Sequence, residues 1–365
     1  MIVYALVALA LYIGGNAYVF YRLLQAIAGV PQGLRIAFIV IYWFAAIAMF
    51  LALGLRNIEL PLFVQRMLYV VGSVWLVFIL YMVISVALFD VVHLIFPSFQ
   101  GGVWYALCIT SMLLVCGYVN YRHPRVEHIT ITTDKMAAGD RMRIVAISDV
   151  HLGHGTGREQ LSRYVELINE QRPDVVVIVG DLIDNSITPV VEANMEEVLS
   201  EIEAPSGIYM VPGNHEYISG LKQCSDFMNR TNILLLQDTV LALPKGVELI
   251  CRDDRMNKRR KPLAELVNKC DSSHFTVVLD HQPYDIAASD ALGVDLHISG
   301  HTHHGQIWPI SLLTDFMYDQ SHGYRKWRTT HAFVSSGLSL WGPPFRIGTR
   351  SDLAVIDIVG SDAEL

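Results

Sequence analysis

Three histidines stand within four residues in Gly300-His301-Thr302-His303-His304-Gly305-Gln306, directly after the apolar run 294–299. A strand that ends in a glycine turn and then shows several imidazoles is poorly suited to a core. It is well suited to facing a metal ion, because alternate residues past a strand end reach one point from two sides. By itself the motif reads equally as a polar, histidine-rich loop. Four upstream segments share its form: Asp149-Val150-His151, Gly180-Asp181, Gly213-Asn214-His215-Glu216 and Asp280-His281-Gln282-Pro283 each follow a short apolar run. Each alone has a plain explanation: Asp149 as a turn residue, Asp181 as a helix cap, Asn214 as a turn, His281 as a buried imidazole. Five such coincidences at five strand ends explain less than one polynuclear metal site does.

The candidate ligands are Asp149, His151, Asp181, Asn214, His281, His301 and His303. They offer imidazole nitrogens and hard oxygens and no thiolate, which suits manganese, iron or zinc, and the donors alone do not choose among them. Seven donors are too many for one four-coordinate ion and suit two divalent ions about 3.5–4 Å apart sharing one carboxylate. Asp181, a lone carboxylate beside a glycine, is the natural bridge. Such a pair lowers the pKa of a bridging water and clamps an anionic, in-line displacement. Phosphoester hydrolysis is the reaction that most needs both.

The elements that must position these residues begin near Val126. Strands are expected over 126–132, 143–148, 174–179, 207–211, 233–236, 240–243, 247–251, 275–279, 295–299, 332–335 and 352–358, and helices over 157–169, 190–202 and 218–229. Strands alternating with helices indicate an α/β domain, and the late cluster of strands points to a mixed sheet or a second layer. Ligands in open α/β sheets gather at the carboxyl ends of strands.

The first third of the chain is different. Four apolar stretches, 2–20, 34–53, 67–88 and 102–119, are each near the roughly 20 residues that cross a bilayer as a helix. They show no amphipathic period, which separates them from core helices. The first has no Lys or Arg ahead of it and more spans behind it, unlike a signal peptide. The expected domains are a transmembrane helix bundle over 1–120, a juxtamembrane linker with the first strand over 121–142, and a catalytic domain over 143–365. Lys and Arg set the orientation. Arg22 and Arg35 in the first connection cancel Arg56 and Arg66 in the second, and Arg122, Arg125, Lys135, Arg141 and Arg143 follow the fourth stretch. Both termini and the catalytic domain are therefore expected in the cytoplasm, at the inner membrane if the cell is bacterial. Asp90 and His93 read as interfacial residues. The net charge of −8 and the lack of a basic, aromatic-laced stripe argue against nucleic acid as a partner. Five scattered cysteines with no Cys-x-x-Cys pair show no disulfide framework or cysteine-based zinc site, which suits a reducing compartment for the soluble part.

The order Asp149-x-His151, Gly180-Asp181-x-x-Asp184, Gly213-Asn214-His215-Glu216, His281 and Gly300-His301-x-His303 resembles the calcineurin-like metallophosphoesterase superfamily, over residues 143–304. The tail Gly305-Gln306 and the later Trp341-Gly342-Pro343-Pro344-Phe345-Arg346 are similar to a membrane-associated branch, the YkuE- and YaeI-like phosphodiesterases. The resemblance implies a two-layered mixed β core flanked by helices. It implies that Asp149, His151 and His303 hold one metal, that Asn214, His281 and His301 hold the other, and that Asp181 bridges them. His215 would be the catalytic residue, acting on the leaving oxygen or the phosphoryl oxygens as general acid or charge stabiliser. Asp184 and Glu216 would orient imidazoles, or else serve as acids near a helix start. His304 departs from the branch pattern, which commonly has glycine there, and is expected to point to solvent. His154 reads as an exposed loop histidine.

Related members cleave the pyrophosphate of a UDP-linked diacylglucosamine. Two local features lean the same way, toward lipid. The stretch 307–317 is apolar and aromatic, either an acyl-chain wall or a packed insertion helix. Arg255, Lys258, Arg259, Arg260 and Lys261 form a basic run, either against anionic headgroups or as a solvated loop. The leading expectation is a membrane dimetal phosphodiesterase or pyrophosphatase that uses a metal-bridging hydroxide on a phosphate-containing lipid or lipid-linked nucleotide. The alternatives are a membrane-anchored general or nucleotide phosphoesterase, and a non-catalytic membrane sensor.

Overall fold

Helices that are apolar on every side suit hydrocarbon rather than water, and four of them open the chain: α1 (Ile2–Ala26), α2 (Gln32–Gly54), α3 (Leu62–Ile95) and α4 (Gly102–Arg122). All four are long and apolar enough to cross a membrane. The structure, a computed structural model, describes residues 2–55, 58 and 60–361. Arg56, one of the residues in the charge count, lies outside them, as do 362–365 of the expected catalytic domain. With 34 residues, α3 is about 50 Å long, well beyond the ~30 Å hydrocarbon layer. Its ends at 62–66 and 89–95 are helical without being as apolar as the expected span 67–88. Asp90 in that extension accepts hydrogen bonds from Tyr18 Oη at 2.6 Å and from Arg22 at 2.5 Å, so its charge is paired among the helices.

The chain divides into two units, residues 1–119 with 342–345, and residues 120–341 with 346–365. The second unit is built on twelve strands: β1 (Arg125–Thr133), β2 (Arg141–Ile147), β3 (Val175–Val179), β4 (Ile208–Val211), β5 (Ile233–Leu235), β6 (Thr239–Leu243), β7 (Val247–Cys251), β8 (Phe275–Leu279), β9 (Leu296–Ser299), β10 (Gly323–Lys326), β11 (His331–Val334) and β12 (Asp352–Gly360). They form two mixed six-stranded sheets, ordered β1-β12-β2-β3-β4-β5 and β10-β11-β9-β8-β7-β6.

Alternation along the strands decides how the layers stack. In β3, Val175, Val177 and Val179 join Leu249, Val277 and Ile298 of the other sheet in one buried cluster, so the two sheets pack face to face. Val176 and Ile178 point the other way, onto Leu161, Val165 and Ile168 of helix α5 (Arg158–Glu170). On the far side Ile250 and Val278 pack on Leu263 and Leu266. The result is helix, sheet, sheet, helix, the expected two-layered mixed β core. The strands β2, β3 and β4 run parallel, as do β8 and β9, so their carboxyl ends open together.

Two expected helices are broken. The stretch 190–202 is two short helices, Thr188–Glu192 and Met195–Leu199, because Asn194 takes φ 48° between them. The stretch 218–229 begins earlier, as α6 (Asn214–Ser219), stops at Gly220 with φ 98°, and resumes as Leu221–Met228. A left-handed residue cannot continue a right-handed helix. Strand β10 had no counterpart in the sequence reading.

Candidate metal centre

Each candidate ligand lies just past a strand end, where the chain must turn its side chain inward at once. Asp149, His151, Asp181, His301 and His303 all have positive φ, between 48° and 72°. Such conformations cost non-glycine residues of order 1–3 kcal/mol each and persist where their surroundings enforce them. The glycines of the motifs make room. A side chain on Gly213 would collide with the Asp181 carboxylate, and one on Gly180 (φ 80°) with the His281 ring.

The donors fall into two groups. In one, His303 Nε2 lies 3.3 Å from Asp149 Oδ1 and 3.1 Å from His151 Nε2. In the other, His281 Nε2 lies 3.1 Å from Asp181 Oδ2, with His301 beside them. Asp181 Oδ2 is also 3.9 Å from His151 Nε2, so one carboxylate oxygen serves both groups. Bonds of 2.0–2.2 Å to one ion place donors roughly 3–3.5 Å apart, which is the spacing found. Asn214 Oδ1 and His281 Nε2 are buried without a hydrogen-bond partner. That is a state with a real free-energy cost unless a cation takes the lone pairs. His281 Nδ1 is 2.8 Å from the Val179 carbonyl. This contact fixes the proton on Nδ1 and leaves Nε2 free to ligate. The donor set therefore fits a divalent metal.

The electrostatics agree. Burial opposes the charge on Asp149, but His303, His151 and His281 outweigh it and hold its carboxyl well below the usual range. Burial likewise opposes protonation of His151, but Asp149, Asp184 and Asp181 raise it to about 10. Burial pushes His303 down to about 3. A pocket that charges one imidazole so strongly is one in which carboxylates call for a cation, and metal binding there displaces a proton.

His215 is the second residue of α6, and its backbone N–H donates to Asp181 Oδ1 at 2.8 Å. Its ring stands edge-on to His151, 4.6 Å between centroids. Asp184 Oδ1 lies 3.4 Å from His151 Nδ1 and 3.3 Å from His215 Nδ1, between the two rings. Of the two readings of Glu216, the structure has the acid near a helix start, in the first turn of α6, rather than a partner of an imidazole. Its carboxylate accepts the backbone N–H groups of Asp181, Ile183 and Gly213 at 2.9, 3.0 and 2.7 Å, so it ties the β3 and β4 loops together. His304 does not point to solvent. It stacks on His322, 3.4 Å between centroids, with a left-handed backbone at φ 49°.

The basic run is divided between inside and outside. Arg260 bonds Asp280 and Asp285, and Lys261 Nζ donates to the Asp238 carbonyl. Arg255, Lys258 and Arg259 are exposed. Sequence reasoning missed Arg346. It is fully buried, and its guanidinium donates to the carbonyls of His303 (2.7 Å), Gly337 (3.1 Å) and Ser339 (3.0 Å). A lone Arg in a Gly- and Pro-rich stretch carries no signal for such a role beyond its place in the branch motif.

Residues 142–305 match the family model for the calcineurin-like phosphoesterases. A metallophosphoesterase of Helicobacter pylori, itself uncharacterized, is 31% identical over 275 residues, 72% of this chain and 73% of that protein. The chain belongs to the calcineurin-like phosphoesterase family. It is similar to a zebrafish (Danio rerio) transmembrane protein with metallophosphoesterase domain, 33% identical over 69% of this chain and 61% of that one. A solved 5'-nucleotidase precursor from Thermus thermophilus is 15% identical, with TM-score 0.38, over 56% of this chain and about half (50%) of that one. The protein is a metal-dependent phosphoesterase with four candidate membrane helices, and so a membrane protein.

Proposed function

We propose that this membrane protein hydrolyses a phosphodiester or pyrophosphate bond on a phosphate-containing lipid or lipid-linked nucleotide, at the cytoplasmic face of the membrane. Asp149, His151 and His303 would hold one divalent ion and Asn214, His281 and His301 a second, with Asp181 shared and manganese the favoured metal. Two such ions supply charge to the phosphoryl oxygens and a nucleophile from water at neutral pH. His215, with its backbone on Asp181 and Asp184 beside its ring, would stabilise or protonate the leaving oxygen. Asp184 holds the rings of His151 and His215 in register.

The observation that carries the lipid reading is helix α7 (Ile310–Met317), which begins seven residues after His303. Ile310, Leu312, Leu313, Phe316 and Met317 are 44–89% exposed, with Trp308 before them at 46%. Apolar groups so exposed, in a chain carrying its own bilayer spans, suit acyl chains better than water. The test is hydrolysis, by purified protein in lipid nanodiscs, of a lipid-linked pyrophosphate against a soluble dinucleoside pyrophosphate. A kcat/KM at least tenfold higher for the lipid supports the proposal. Equal values, unchanged in Phe316→Ser, contradict it.

A further inference from the structure

Outside the two ligand groups one further cluster of metal-ligating side chains stands out among the described residues: His304, Asp315 and His322. We propose that it is a third divalent-cation site, of the zinc type, separate from the catalytic pair. Its ligands come from three segments. His304 lies in the turn after β9, Asp315 in α7, and His322 directly before β10.

The geometry has the right scale. His304 Nε2 is 3.5 Å and His322 Nδ1 3.6 Å from the same oxygen, Asp315 Oδ1. Tetrahedral bonds of 2.0–2.1 Å set donors about 3.3–3.4 Å apart. Two imidazoles, one carboxylate and an open position form a set that zinc accepts, and one that binds zinc more tightly than manganese or iron. The surroundings are built to hold it. Ser321 Oγ donates to Asp315 Oδ1 and accepts from His322 Nδ1 at 2.9 Å, a proton that an ion at Nδ1 would displace. Thr302 Oγ1 donates to the Ser321 carbonyl and accepts from the His304 N–H at 3.1 Å, so the two histidine-bearing turns are tied together. His304 is fixed, its side chain 16% exposed, whereas His322 and Asp315 are each 44% exposed. A turn of the freer His322 ring out of its stack aims both imidazoles at one ion. His304 and His322 also line a cavity of about 640 Å³, which gives a cation its entry path. An ion here would pin the apolar α7 to the turn that carries His303.

The test is zinc counted by mass spectrometry after equilibrium dialysis of the full chain in detergent, for wild type, Asp315→Asn and His322→Gln. Each variant's melting curve without zinc checks its fold. The proposal expects one zinc equivalent fewer in each variant than in wild type, and a third zinc peak in anomalous diffraction from wild type. Equal counts in wild type and in a variant that melts normally would overturn it. So would anomalous peaks confined to the catalytic donors. The difference between chains reads this site whatever the catalytic pair holds, so failure here and failure of the dimetal reading are separable.

Discussion

The guanidinium of Arg346 donates a 2.7 Å hydrogen bond to the carbonyl of His303 from a fully buried position. His303 is left-handed at φ 49°, and its Nε2 faces Asp149 and His151. The ligand is therefore aimed by its own backbone, and the backbone is held by an arginine more than forty residues later in the chain. Burial lowers the Arg346 pKa to about 10, which leaves it charged at neutral pH.

Arg346→Lys keeps the charge and loses the planar fork that reaches several carbonyls at once. Divalent-metal affinity, measured by dialysis, should fall about 10–100-fold, as for loss of other groups that orient ligands. Arg346→Met should destabilise the domain by more than about 3 kcal/mol in chemical denaturation, since each stranded carbonyl costs roughly 1–3 kcal/mol.

Glu216 is the second internal clamp, with three N–H donors on one carboxylate. Glu216→Gln turns an amide NH2 toward N–H groups that need an acceptor. The expected cost is about 1–3 kcal/mol, seen as a lower melting temperature. A melting temperature equal to wild type would show that the loops hold themselves.

Asp184→Asn removes the charge between the Nδ1 atoms of His151 and His215. In this variant kcat on a diester should drop about 10–100-fold with the acid limb of the pH–rate profile displaced, while metal bound at the Asp181, His281 and His301 group is retained. An unchanged profile would assign Asp184 to packing alone.

Away from the centre, His297 is buried between Ser289 Oγ and Ser299 Oγ at 2.7 and 2.9 Å. Burial pushes its pKa down to about 4. Free imidazole titrates near 6.5, so between about pH 6.5 and 4 the native state binds fewer protons than the unfolded chain. The stability from this group is whole above that window and is lost as pH falls through it, a loss of about 3 kcal/mol. His297→Gln should lose less stability than wild type between pH 7 and 4.5. Parallel curves for the two proteins would contradict this.

Much of the site was legible because its residues repeat one form, an apolar strand followed at once by Asp, Asn or His. Asp149, His151 and His303 come together, as do Asp181, His281 and His301, each from just past the end of a strand. What stayed hidden acts through backbone atoms or through single dihedral angles. Arg346 binds carbonyls, which leave no residue pattern to match. Asn194 and Gly220 break helices whose apolar period runs on through them. Strand β10, Gly-Tyr-Arg-Lys, is a mostly exposed edge strand, and no buried face writes a period into it. His304 looked solvent-facing because its partners, Asp315 and His322, lie 11 and 18 residues away in sequence.

The most direct test of the central claim is manganese-dependent hydrolysis of a chromogenic phosphodiester beside its monoester, by the purified full chain and by Asp181→Asn, with bound metal counted in both. The shared carboxylate predicts two metal equivalents and diester turnover in wild type, and turnover at least about 100-fold lower in the variant. Turnover that survives in Asp181→Asn, or two bound metals with no hydrolysis of either ester, would contradict a dimetal phosphoesterase built on Asp181.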